Sequence, residues 1–161
     1  LFLYDPTVGR WERKSEREGV GGTNSRQSDL AESRLSKRYV PSYIGLKKLG
    51  KFKVHHLELV ARKGAKVPYP VMQLWVDQAT GNILKQADFS LSKKLLRTSY
   101  YPKWKRYFSD SLKTEVYLPK EIRIFDEVEK GSKTTVVVLD ADLRPLRKNI
   151  FTKAWVESKS R

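Results

Sequence analysis

Short apolar runs separated by polar turns recur along this chain, and no long helical stretch interrupts them. The clearest reads Leu74-Trp75-Val76-Asp77-Gln78-Ala79-Thr80-Gly81-Asn82-Ile83-Leu84-Lys85. Two apolar runs flank an Asp/Thr/Gly/Asn turn, which is the pattern of an antiparallel hairpin. Strands joined at such short range pair with their sequence neighbours and bury one face. The expected fold is therefore mainly β: one curved antiparallel sheet, or an incomplete β-barrel, covered by short helices.

The same reading places the other elements. Leu1 to Asp5 and Arg10 to Ser15 form a hairpin around Pro6-Thr7-Val8-Gly9. Gly19 to Ser28, rich in Gly, Ser, Thr and Asn, reads as a mobile loop. Asp29 and Glu32 resemble a capping box for a short helix carrying Leu30, Ala31 and Leu35. Tyr39 to Leu46 is a strand whose Pro41 favours an edge or a bulge. Lys51 to Arg62 is a long strand with Phe52, Val54 and Val60 on one parity and Leu57, Leu59 and Ala61 on the other, so one face meets a core and the other a greasy groove. After a loop over Gly64 to Pro70 come Val71 to Val76, Asn82 to Phe89 and Lys94 to Tyr101. Pro102 to Phe108 is ambiguous, and Ser109 to Ser111 is a loop. Tyr117 to Val128 and Lys133 to Leu143 pair around Gly131. Asn149 caps a last helix with Ile150, Phe151, Ala154 and Trp155 on one stripe. The total is about nine strands and two short helices.

With 161 residues the chain can bury the core of one domain. It begins on Leu1-Phe2-Leu3-Tyr4, already strand-like, and its one methionine is Met72. We read residues 1–161 as a single domain and as part of a longer or processed protein. No cysteine is present, which excludes disulfides, thiolate metal sites and cysteine nucleophiles. No run reaches the roughly 18 apolar residues that a membrane-spanning helix needs. Lys and Arg total 33 against 18 acidic residues, a net +15. Such a balance points to anionic partners: nucleic acid, anionic lipid or acidic protein.

Catalytic and metal chemistry find little support. The two histidines, His55 and His56, are adjacent on a strand and point to opposite faces, so they cannot clasp one metal together. Asp140 and Asp142 share a parity and stand about 7 Å apart if extended, a carboxylate pair that the abundant basic residues would normally neutralise. Gly19, Gly21 and Gly22 lack the Lys and Ser/Thr of a phosphate loop. No cofactor is expected, and a lipid hydrolase built on His55 or these acids is the weakest reading. Tyr100-Tyr101-Pro102-Lys103-Trp104-Lys105-Arg106-Tyr107-Phe108 mixes aromatic and basic residues. It suits single-stranded nucleic acid, a membrane interface, or a strand end whose rings pack in the core. An electrostatic module for nucleic acid or another polyanion is the alternative function, although no sequence-reading motif accompanies it.

A family resemblance rests on Leu3-Tyr4-Asp5-Pro6, Gly21-Gly22-Thr23-Asn24-Ser25, Leu74-Trp75-Val76-Asp77 with Thr80-Gly81-Asn82, Tyr100-Tyr101-Pro102 and Asn149-Ile150-Phe151-Thr152. In this order they resemble the LolA/LolB-like outer-membrane lipoprotein-sorting proteins. The resemblance implies a half-barrel holding acyl chains between sheet and helices, in a non-enzymatic carrier of the periplasm or cell envelope. Against that pattern, the N-terminal helix and first strands of the family are not seen here. The implied partners are lipoprotein acyl chains or phospholipid, with an anionic membrane surface or an envelope protein besides. Exposed strand edges could pair copies of the chain, and nucleic acid is disfavoured. Apolar side chains on the concave face would line the cavity, each buried CH₂ contributing about 0.8 kcal/mol. The candidates are Leu57, Leu59, Trp75, Leu84, Leu96, Ile124 and Val137, with Arg97 and Arg123 at the rim for a headgroup. Which parity faces the cavity stays open at this point.

Overall fold

The computed structural model describes residues 2–29 and 34–160. Seven strands form one open antiparallel sheet: β3 (Tyr39–Leu49), β4 (Phe52–Ala61), β5 (Val71–Asp77), β6 (Ile83–Phe89), β7 (Leu95–Ser109), β8 (Thr114–Asp126) and β9 (Lys133–Val137). Their order in space is their order in sequence, with β3 and β9 at the edges. The sheet is thus a meander that does not close, as short polar turns between apolar runs dictate. A separate ribbon pairs β1 (Phe2–Asp5) with β2 (Arg10–Arg13). Two short helices, α1 (Leu35–Arg38) and α2 (Lys153–Lys159), and 3-10 turns at Gln27–Asp29 and Lys148–Phe151 complete the described elements.

The β5–β6 turn shows why the hairpins form. The Asp77 carbonyl accepts from the Gly81 N–H at 2.9 Å, and the Asp77 carboxylate accepts from the Thr80 hydroxyl at 2.8 Å. Gly81 has a positive φ of 71°, which a side chain would strain.

Register decides what each face carries. Leu59, Met72, Asp88 and Arg97 are cross-strand partners, and so are Leu57, Leu74, Gln86, Ser99 and Ile124. These two rows share one face, which we call the inner face. Its apolar part belongs to a core of Tyr39, Leu59, Met72 and Leu74 with Val67 and Tyr69 from the β4–β5 connection. The outer face carries the row His56, Trp75, Lys85, Tyr100 and Arg123. There the groove expected on the second face of β4 is absent, because Glu58 and His56 alternate with Val54 and Val60 and both bond Gln73.

Among the described residues the inner face is covered by chain over 14–29 and by α1. The Gly19 to Ser28 segment is a correction: it is pinned, not mobile. The Asn24 N–H donates to Thr134 Oγ1 at 2.9 Å, Arg26 Nε to the Tyr69 hydroxyl at 2.7 Å, and Ser25 and Gln27 are buried. The helix expected from Asp29 falls largely on residues 30–33, outside the described residues, as does Leu1 of the first strand.

Other boundaries shift as well. The ambiguous Pro102 to Phe108 continues β7, and Pro102 falls where the β7–β8 ladder skips from Tyr100 to Lys103, so its missing N–H leaves no bond unmade. Strand β9 ends at Val137, and the Val138 N–H makes one more bond to β8, to the Lys120 carbonyl at 3.0 Å. Asp140 and Asp142 therefore lie beyond the strand, and Asp142 pairs with Arg144. Asn149 sits in the 3-10 turn, and Thr152 caps α2 by accepting from the Trp155 N–H at 3.3 Å. The stripe expected there is exposed. Helix α2 meets the β1–β2 ribbon through Trp11, whose indole donates to Glu157 at 2.5 Å.

Candidate functional site

The inner face carries a cleft of about 240 Å³ between the sheet and the covering segment. Leu35, Tyr39, Pro68, Met72, Ile83 and Trp104 give it apolar walls. Ser28, Asp29, Arg38, Gln86, Arg97 and Tyr101 supply polar groups. The volume lies below the usual range of ligand sites, roughly 300–1,000 Å³.

An ion-pair network holds one side. Arg97 is only 6% exposed, and Asp88 is fully buried. Arg97 Nε donates to Asp88 at 2.8 Å, while Nη1 and Nη2 donate to the two Asp29 oxygens at 2.7 and 3.0 Å. Gln86 Nε2 donates to Asp88 at 2.7 Å. Burial works against the Arg97 charge, but the bonds and charges of Asp29 and Asp88 outweigh it and push its pKa up. Burial pushes the Asp88 carboxyl up, with Arg97 and Gln86 pulling against it. Two short charge-assisted bonds on one guanidinium mark an ion pair. This pairing ties the segment around Asp29 to strands β6 and β7.

Tyrosines surround the network as neutral donors. The Tyr39 hydroxyl donates to the Tyr69 carbonyl at 2.8 Å, and burial, helped by the Asp88 charge, pushes its pKa up to about 12. Burial also pushes the Tyr101 hydroxyl up. Nearer the covering segment, Arg38 grips Glu16 with bonds of 2.5 and 2.9 Å and holds its carboxyl below the usual range.

The nine residues singled out from sequence distribute unevenly. Leu59 and Ile124 are buried on the inner face, and half-buried Leu57 and Leu96 pack against the core. Leu84 sits at the β6 bulge opposite the Trp75/Val76 step. Trp75 lies on the outer face, stacked on His56 with centroids 4.4 Å apart and capped by Lys85 Nζ at 4.6 Å. Val137 is 51% exposed on the edge strand. Arg97 lines the cleft but is buried in its ion pairs, not held at a rim. Arg123, on the outer face, bonds Glu121 at 2.7 Å. The parity of β5 decides these outcomes, and its signal was present: Met72, Leu74 and Val76 are all apolar, whereas Gln73 interrupts the Val71/Trp75 set. Ser28 and Trp104 were missed as site residues.

The Tyr100 to Phe108 segment divides between faces. Tyr100 packs edge-on against Phe125 on the outer face, Tyr101 and Trp104 line the cleft, and Lys105 covers Tyr107. Phe108 stays exposed, while the other rings of the run are half-buried. His55 and His56 bond different partners, Tyr43 and Gln73. Among the described residues no group of three or more His, Asp or Glu could hold a metal.

A family model described as an uncharacterized protein matches residues 1–158. No curated protein matches the chain. Three solved structures share the fold. One is a domain provisionally described as an outer membrane lipoprotein-sorting protein from Vibrio parahaemolyticus (TM-score 0.83, 20% identity, covering 97% of this chain and 65% of that one). Another is a LolA superfamily protein from Nitrosomonas europaea (TM-score 0.75, 24% identity, 96% and 66%). The third is a DUF1329 family protein from Desulfovibrio piger (TM-score 0.80, 15% identity, 95% and 62%). The chain spans slightly less than two thirds of the length of each. At these identities the likeness concerns the fold, an open curved sheet of LolA type.

Proposed function

From the premise that this chain belongs to the uncharacterized-protein family matched over residues 1–158 and has the LolA-type fold, we propose that it is a non-enzymatic binding protein for acyl chains. The lipid or lipoprotein is held in the inner-face cleft, and the place of action is the cell envelope. The observation that carries this reading is the cleft itself: apolar walls from Leu35, Met72, Ile83 and Trp104 on the side of the sheet that the covering segment shields. Leu57 and Leu59 pack in the core that also holds Met72. At about 240 Å³ the space suits part of one chain. The net charge of +15 suits work at an anionic membrane surface.

Native mass spectrometry of the protein mixed with a monoacyl phospholipid tests the reading. A 1:1 complex is expected, weakened at least tenfold by Met72→Asp, since a carboxylate in the apolar wall is poorly solvated. Absence of any complex, together with none for acylated peptides, contradicts it. The second reading, a polyanion module, keeps the net charge as its support, whereas in the Tyr100 to Phe108 run Tyr100 packs on Phe125 and Tyr101 and Trp104 line the cleft.

A further inference from the structure

Most polar groups lining the cleft are engaged. Arg97 is bonded to two carboxylates, Arg38 to Glu16, and the Gln86 amide to Asp88. Two groups differ. Trp104 Nε1 and Ser28 Oγ are buried with no hydrogen-bond partner among the described residues, and both residues line this cleft. They come from different elements, Trp104 from β7 and Ser28 from the 3-10 turn of the covering segment. Trp104 follows a register irregularity at Lys103, a place where a strand can re-aim a side chain. Buried polar groups are normally satisfied, and an unpaired one is costly.

The chemistry of the two groups narrows what would pair with them. An indole N–H donates and cannot accept, so its partner is an acceptor. Both groups are neutral. Arg34, Arg38 and Arg97 line the cleft beside Asp29 and Glu16, and Arg38 and Arg97 are already bonded to carboxylates. A carbonyl oxygen satisfies two neutral donors without burying an added charge. We infer that the cleft recognises an acyl ester or amide by its carbonyl oxygen, which accepts from the Trp104 N–H and the Ser28 hydroxyl while the hydrocarbon lies against Leu35, Met72 and Ile83. This rests on the acyl-binding reading above and adds selection for the carbonyl. A glycerolipid ester and the amide of an acylated amino terminus offer the same oxygen.

Competition against a fluorescent acyl probe decides it, with three ligands of equal chain length: a methyl ester, an N-methyl amide and a methyl ether. Wild-type protein is expected to bind the ester or amide about tenfold more tightly than the ether, near 1.4 kcal/mol. Trp104→Phe is expected to bring ester and amide affinity down to that of the ether; the ester-to-ether ratio is taken within the variant, so any general loss from the altered apolar wall cancels. Ser28→Ala reduces the preference and provides a second route should the Phe variant misfold. The tighter of ester and amide identifies the source. Equal binding of ester and ether by the wild type, or a preference that survives both substitutions, overturns carbonyl selection while acyl binding stands. Failure of all three ligands to bind overturns the acyl site as well.

Discussion

Arg97→Met is expected to destabilise the fold by about 3–5 kcal/mol in urea unfolding, because it strands a fully buried Asp88 carboxylate. The wild-type guanidinium satisfies Asp88 and Asp29 together. Removing it leaves Gln86 as the remaining donor to Asp88. The paired change Arg97→Met with Asp88→Leu should recover most of the loss, since replacing a whole buried ion pair by apolar groups is often close to neutral. Hydrogen exchange gives a second readout. The covering segment is also held by Asn24 on Thr134 and by Arg26 on Tyr69, so amides nearest Asp29 lose protection first in Arg97→Met. Full stability in the single variant would show that the network is not an anchor.

Leu59→Ala should cost about 2–5 kcal/mol, and Val60→Ala less than about 1 kcal/mol. The residues are neighbours on β4, yet Leu59 is 5% exposed in the core and Val60 is 44% exposed. Alternation along the strand sends them to opposite faces. The contrast tests the assignment of the inner face through thermal unfolding of the two variants. Similar losses, or a larger loss for Val60→Ala, would mean that the core lies on the other side of the sheet.

The parts of the fold legible in the sequence are those fixed by local chemistry. The β5–β6 hairpin could be read because Asp77, Thr80 and Gly81 set the turn within a few residues. The opposed directions of His55 and His56 followed from the pleat alone. The open antiparallel sheet followed from repeated short connections. What escaped depends on distant partners. Gly19 to Ser28 has the composition of a loop, but its anchors are separated in sequence by 110 residues for Asn24–Thr134 and 43 for Arg26–Tyr69. Pro102 to Phe108 is ambiguous in the sequence, whereas a register irregularity accommodates Pro102 within β7. The cavity candidates are apolar residues of a concave face whose parity the sequence leaves open. Trp75 is among them while the parity is open, and the unbroken apolar parity of β5 belongs to Met72 and Leu74. Trp104 lay inside a basic-aromatic run whose rings pointed equally to a core, a membrane or nucleic acid until their faces were known.

Quenching by a brominated fatty acyl ligand tests where the chain lies, because Trp104 lines the cleft and Trp75 sits on the outer face. Two variants are needed, each keeping one of these tryptophans and replacing the other three by Phe. The account predicts saturable quenching when Trp104 is retained and little when Trp75 is retained. Quenching of Trp75 with Trp104 unaffected would contradict it.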